Sequence, residues 1–336
     1  MKKILVITPC PQNGLPTQGF IIANRLRESG VSICILSKAQ SSFMRFLDMV
    51  VRGFLLVPFH NIVFINVYGE RAFVYESFLI LYSHFLKKRN IVFLHSGLMP
   101  DFVKRWPRLA KIVLVRSDLV LAPNGYLQEV LTELGLRIDG TIPNFIDLGQ
   151  YKFRKRAILK PRFLYLRGFW SIYNPEMALR AFSLIQKKHP NASLTMVGRE
   201  GDCSDICRKL VLELKLSHVN FVGLIKKIEL IELANDHDIH LHTNRVENMP
   251  VSIIEMWACG LPIVGTNVGG MPYLIHHEID GILVESDNFS EMADSCIRLL
   301  ADSDLACRLS SNGRRRAGEF TWEAVRPLWM KALAES

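Results

Sequence analysis

Three stretches of the chain carry side chains whose type and spacing fit chemistry on an anionic ligand. The first is ENMPVSIIE at 247–255. Glu247 falls in a loop after an apolar run, and Pro250 suits the first turn of a helix, where its missing N–H costs nothing. Asn248, Met249, Pro250 and Val251 lead into that helix, whose exposed amides can bind phosphate with a dipole bonus of about 0.3–1 kcal/mol. Glu255 lies a turn further in, and a carboxylate there suits a diol, from which it accepts two hydrogen bonds. Periodicity alone equally allows Glu247 to be a plain helix-start residue and Glu255 to face solvent. The second stretch holds His95, directly after an apolar run. A neutral imidazole there can contact a hydroxyl or a developing positive charge, although a lone histidine after a strand is more commonly structural. The third is Arg167, at the end of the run 162–167. Its planar fork holds phosphate oxygens and keeps its charge, with an ordinary surface arginine as the alternative.

These residues need a frame that brings strand ends together. Residues 2–8, 31–36, 62–67, 91–94, 119–122 and 140–142 read as strands, with helices at 20–29, 73–86 and 126–134. The plan then restarts with strands at 162–167, 193–197, 219–222, 239–242 and 262–265. Helices at 175–187, 205–214, 227–234, 251–259 and 289–301 alternate with them. Continuous apolar strands alternating with helices predict parallel sheets covered on both faces. Two doubly wound α/β halves account for a dozen strands better than one sheet does. Ligands then sit at the carboxyl ends of the strands.

The chain has 336 residues, with 41 Lys and Arg against 32 Asp and Glu. The basic surplus favours anionic partners without choosing among them. Seven scattered cysteines read as free thiols of a reducing compartment rather than a disulfide frame. The N-terminus is not expected to be a signal peptide, and 53–69 is too interrupted to be a membrane span.

The string at 247–270 resembles the E-x7-E signature of family 4 glycosyltransferases, with Glu247, Glu255, Ala258, Cys259, Gly260, Pro262, Val264, Gly269 and Gly270 in place. Asn13 and Gly14 stand where that family has a glycine pair. FLHSG at 93–97 resembles its histidine motif, IPNFID at 142–147 its interdomain junction, and FTWE at 320–323 its terminal segment. The resemblance implies the GT-B fold, two Rossmann-like domains facing a central cleft. Residues 1–150 would be the acceptor domain and 151–317 the donor domain, with 318–336 a helix crossing back to the first. It implies Glu247 near the donor sugar, Glu255 on the donor ribose, His95 beside the transferred sugar and Arg167 on the pyrophosphate. Asn13 and Gly14 would form the acceptor or phosphate loop. The chain departs from the pattern at Tyr173-Asn174, where Lys-Gly is usual. Tyr173 would then donate a hydrogen bond, or Arg199 or Lys226 would supply the missing charge, or turnover would be weak.

The implied function is transfer of a sugar from a nucleotide-diphosphate donor to a glycan or lipid-linked acceptor, with retention of anomeric configuration. A nucleotide-sugar epimerase of the same fold, or a weakly active binding relative, are the alternatives. No metal or other cofactor is expected: DHDIHLH at 236–242 reads as a strand with two faces rather than a metal cluster. No nucleic-acid partner is expected from the Arg314–Arg316 run, which reads as a solvated helix face. The basic run at 151–156 reads as a solvated linker. Residues 42–59 form a helical apolar face with basic edges, which either packs on the core or docks on acidic lipid. The expected location is cytoplasmic, at the inner face of the membrane.

Overall fold

A computed structural model of the chain describes residues 2–8, 16–36, 42–68 and 70–334. It divides into two units, 1–144 with 326–336, and 145–325. In unit 1 the strands are β1 (Lys3–Ile7), β2 (Ser32–Leu36), β3 (Ile62–Val67), β4 (Arg89–Leu94), β5 (Leu119–Ala122) and β6 (Gly140–Thr141). They pair in parallel in the order β2-β1-β3-β4-β5-β6. The helices are α1 (Gln18–Glu28), α2 (Ser42–Leu56), α3 (Glu70–Phe85), α4 (Met99–Arg105), α5 (Pro107–Val115) and α6 (Gly125–Glu133). Successive strand residues serve opposite faces of the sheet. Val63, Ile65 and Val92 join a core with Phe73, Phe102 and Leu127 of the helices. Phe64 and Phe93, on the other face, meet the Trp329 ring at 5.2 Å.

Unit 2 repeats the plan. Its strands are β7 (Arg162–Leu166), β8 (Ser193–Val197), β9 (Val219–Gly223), β10 (Ile239–His242), β11 (Ile263–Thr266) and β12 (Ile282–Val284). All pairs are parallel, in the order β12-β11-β10-β7-β8-β9. The helices are α7 (Pro175–Lys188), α8 (Ser204–Glu213), α9 (Lys227–Asp236), α10 (Val251–Cys259), α11 (Met271–Leu274), α12 (Phe289–Ala301), α13 (Ser303–Ala317) and α14 (Trp322–Ala334). The last of these begins in unit 2 and ends in unit 1. The chain therefore reverses its direction of travel across the sheet between β7 and β10.

The α/β plan is the one expected, with additions. Helices α4 and α5 were not foreseen, because Pro100 and Pro107 cut 99–115 into pieces of seven and nine residues, too short for periodicity to show. Helix α13 starts at Asp302, whose side chain accepts from the amides of Asp304 and Leu305. Helix α2 and the turn after it pack partly on the core. Met49 and Val57 are buried, whereas Val51 and Leu55 are exposed.

The basic run at 151–156 is solvated only in part: Lys152 and Lys155 are exposed and Arg154 is half-buried. Arg156 is 1% exposed. Its guanidinium donates to the carbonyls of Ala234 at 2.7 Å, His237 at 3.0 Å, Arg154 at 2.9 Å and Cys259 at 2.5 Å. Ala234 and Cys259 lie in the last turns of α9 and α10, where helices leave carbonyls without internal partners. Arg314, also expected on a solvated face, donates to the Ala258 carbonyl at 2.7 Å. Two arginines thus close the C-terminal end of α10, where positive charge is favoured. Replacing Arg156 by Met keeps the volume and strands these carbonyls. The expected loss is about 2–4 kcal/mol, read as a lower urea midpoint; an unchanged midpoint contradicts the capping role.

Candidate functional site

In an open parallel sheet the ligand crevice lies at the carboxyl ends of the strands where the chain order reverses. In unit 2 that point is the pair β7 and β10. Arg167 follows β7 directly and its amide donates to the Val197 carbonyl at 3.1 Å. A Cβ on Gly198 would lie 1.9 Å from the Arg167 carbonyl oxygen, so only glycine lets the end of β8 pass there. Glu247 comes from the loop after β10. That loop is pinned along its length. The Thr243 hydroxyl is shared between the Tyr173 and Asn174 carbonyls, and the Arg245 amide donates to the Ile172 carbonyl at 2.9 Å. The Thr266 hydroxyl donates to the Asn244 carbonyl at 2.6 Å, and the Gly270 amide to the Glu247 carbonyl at 3.1 Å.

Arg167 and Glu247 meet. One carboxylate oxygen of Glu247 accepts from Arg167 Nη2 at 2.5 Å, Asn244 Nδ2 at 2.6 Å and His242 Nε2 at 3.2 Å. The other accepts from the Asn248 amide at 3.1 Å. Burial alone would raise the Glu247 pKa. The adjacent Arg167 charge, with the bonds from His242 and Arg167, outweighs it and holds the group down to about 2. Burial also lowers the His242 pKa, so the ring donates to Glu247 as a neutral imidazole. Arg167 in turn is raised: burial opposes its charge, and Glu247 more than compensates.

Helix α10 begins beside this pair. Pro250 takes the N-cap position, with φ −73° and ψ 117°, one residue earlier than the first-turn place expected. Asn248, Met249 and Pro250 are buried and Val251 is half-buried. Glu255 stands further along α10 and does not face solvent freely, since 13% of its side chain is exposed. It accepts from the Tyr151 hydroxyl at 2.7 Å and lies 3.3 Å from Lys227 Nζ. Burial, then the Glu255 charge, push the Tyr151 pKa well up, so the phenol stays protonated and donates.

Tyr173 and Asn174 close a short 3₁₀ turn, Ser171–Tyr173. Asn174 has φ 49°, the left-handed region that glycine or asparagine adopts most readily. Asn174 thus takes a conformation that glycine also adopts, and Tyr173 carries no charge where the resemblance implies a lysine. The Tyr173 ring centroid lies 5.5 Å from the Arg167 guanidinium. Tyr173 braces the one arginine instead of adding a second charge.

In unit 1, His95 follows β4. Its Nε2 lies 2.9 Å from Asn66 Oδ1, and Asn66 Nδ2 donates to the Ile7 carbonyl at 3.3 Å. That orientation of the amide makes Nε2 the protonated nitrogen and Nδ1 the acceptor. Tyr68 stacks on the ring at 4.2 Å, and burial brings the His95 pKa down to about 3. The imidazole is neutral. Asn13 and Gly14 lie outside the described residues.

Sequence reading missed five contributors: Asn66, Tyr151, Lys227, His242 and Asn244. His242 was legible only as strand filling, since its alternation with Leu241 gives a face and not a partner. Asn244 sits three residues before Glu247 and carried no signal. Among the described residues no group of three or more His, Cys, Asp or Glu side chains is placed to hold a metal ion. His240 instead meets the Leu164 carbonyl at 2.9 Å, and His237 the Leu233 carbonyl at 2.7 Å.

Because the Glu247 pKa falls from the ordinary 4.5 to about 2, its contribution to stability is full above pH 4.5 and is lost as pH falls towards 2. The urea stability of the parent chain should drop by about 2 kcal/mol more than that of Glu247→Gln between pH 5 and pH 3. Parallel pH curves for the two proteins would contradict the assigned charge state.

Residues 153–316 match the sequence model of the family described as glycosyl transferases group 1. Among curated relatives, N-acetyl-alpha-D-glucosaminyl L-malate synthase of Bacillus anthracis is 30% identical over 198 residues, covering 55% of this chain and 49% of that protein. D-inositol 3-phosphate glycosyltransferase of Corynebacterium jeikeium is 29% identical over 157 residues, covering 45% and 38%. The chain thus spans about half or less of the length of these relatives. Among solved structures, Anabaena HepE in complex with UDP-glucose superposes with a TM-score of 0.81 at 18% identity, covering 99% of this chain and 100% of that one. Sucrose-phosphate synthase from Thermosynechococcus elongatus gives 0.80 at 16% identity, covering all of both chains. The fold is the two-domain α/β fold of the GT-B glycosyltransferases, and residues 153–316 are similar to the group 1 glycosyl transferases.

Proposed function

We propose that the chain transfers a sugar from a nucleotide-diphosphate donor to a glycan or lipid-linked acceptor, with retention of anomeric configuration. The observation that carries this reading is the meeting of Arg167 and Glu247 at the reversal point of unit 2, beside the start of α10. A diphosphate entering there finds a helix N-terminus and a permanently charged guanidinium. Arg167 then exchanges part of its bond to Glu247 for phosphate oxygens and stabilises the leaving diphosphate as charge develops on it.

Glu247 stays ionised because His242, Asn244 and the Asn248 amide still hold it. It accepts hydrogen bonds from hydroxyls of the donor sugar. Glu255 receives the ribose diol, with Tyr151 and Lys227 fixing its orientation. On the resemblance, His95 serves the transferred sugar, and its neutral ring hydrogen-bonds a hydroxyl without competing for phosphate. Asn13 and Gly14 keep their implied place in the acceptor or phosphate loop. No covalent nucleophile is assigned; attack and departure share one face, which retains configuration. No metal is assigned to the reaction.

UDP-glucose, the ligand of the solved Anabaena protein, is the first donor to try. Incubation with labelled nucleotide sugars should release nucleoside diphosphate, and transfer product should form only when acceptor is present. Glu247→Gln and Arg167→Ala should each abolish transfer while the circular dichroism spectrum is unchanged; full activity in both rejects the assignment. Isomerised nucleotide sugar without acceptor would establish epimerisation instead. Glu255→Gln should weaken nucleoside diphosphate binding on the order of 10- to 100-fold, the loss of a charge-assisted hydrogen bond. Calorimetric titration measures it, and unchanged affinity removes Glu255 from the ribose.

A further inference from the structure

Seven of the nine net positive charges of the chain lie within residues 42–116, which hold eleven Lys and Arg against four Asp and Glu. One of the four, Glu76, is 2% exposed, and burial disfavours its charge. The segment builds α2 to α5, part of the helix layer over one face of the unit 1 sheet, with α3 between α2 and α5.

The outer surface of that layer is apolar and basic together. Val51 and Leu55 of α2 are 53% and 63% exposed, Phe78 and Phe85 of α3 are 58% and 80% exposed, and Trp106 and Val115 at the ends of α5 are 52% and 58% exposed. Lys87, just after α3, Lys104 and Arg105 at the end of α4, and Arg108, Lys111 and Arg116 in or just after α5 are exposed as well. None of these six forms an ion pair among the described residues.

An exposed apolar patch of this kind marks an interaction surface. The charges decide the occupant. The centres of protein–protein interfaces are depleted in lysine. Aromatic and aliphatic side chains interleaved with lysine and arginine suit a bilayer surface, where rings enter the acyl boundary and cations meet phosphate headgroups. We propose that the α2–α3–α5 face of unit 1 docks on the surface of an anionic phospholipid bilayer. No helix among the described residues is long and apolar enough to cross a membrane, so this contact is peripheral. It stands whether or not the chain transfers sugar.

Sedimentation of the full chain with vesicles tests it. The chain should pellet with vesicles of phosphatidylcholine mixed with phosphatidylglycerol, far less with phosphatidylcholine alone, and less as salt rises. The double variant R108Q/K111Q should partition roughly thirty-fold more weakly. Phe78→Ser with Phe85→Ser should also reduce binding, and both variants should keep the parental melting temperature because the side chains are exposed. Failure of the parent chain to pellet with anionic vesicles overturns the proposal, as does binding that neither variant weakens. Light scattering that shows a dimer of the parent chain, and monomers of both variants, assigns the face to a second copy and overturns it equally.

Discussion

The Glu247 carboxylate has 12% of its side chain exposed, and the loops at the ends of three strands of unit 2 keep it charged. β7 delivers Arg167, β10 delivers His242 and Asn244, and the turn after β11 anchors the Glu247 backbone through Gly270. A carboxylate buried this far without donors would take up a proton. With them it is a fixed negative charge beside a fixed positive one. Each also limits the other: the guanidinium is held against the carboxylate, and the carboxylate cannot act as a proton donor near neutral pH. The pair is an electrostatic template, suited to stabilising charge that separates, as it does when a diphosphate leaves a sugar.

The same logic explains α10. Its first residues open beside Arg167 and Glu247, while its last carbonyls are closed by Arg156 and Arg314. Gly260 ends it at φ 84°, and a Cβ there would meet the Arg154 carbonyl oxygen at 2.4 Å. The basic segment at 151–156 therefore has two tasks on one helix. Arg156 satisfies the C-terminus, and Tyr151 reaches Glu255 on the flank. Stability and ligand chemistry share one short stretch of chain, so changes there bear on both.

The strands were legible because continuous apolar runs between glycine and proline leave few alternatives. β3, β5, β8 and β10 fall on the residues expected. Glu247, Glu255, Arg167 and His95 stood out chiefly through the family motifs that they match. What remained hidden depends on partners distant in sequence. Tyr151 and Glu255 are 104 residues apart, and no local pattern joins them. Arg156 looked like a surface cation because its four acceptors are backbone carbonyls, which carry no residue identity. Tyr173 looked like a missing cation, and the ring beside Arg167 gives it a part.

The central claim is that a diphosphate rests at the start of α10 against Arg167, with Glu255 holding the sugar ring of the nucleoside. A crystal structure of the chain soaked with a nucleoside diphosphate tests this most directly. The account predicts phosphate density within hydrogen-bond reach of the α10 amides and the Arg167 guanidinium, and ribose hydroxyls on the Glu255 carboxylate. Density for the nucleotide at any other place, with the Arg167–Glu247 pair and the α10 start untouched, would contradict it.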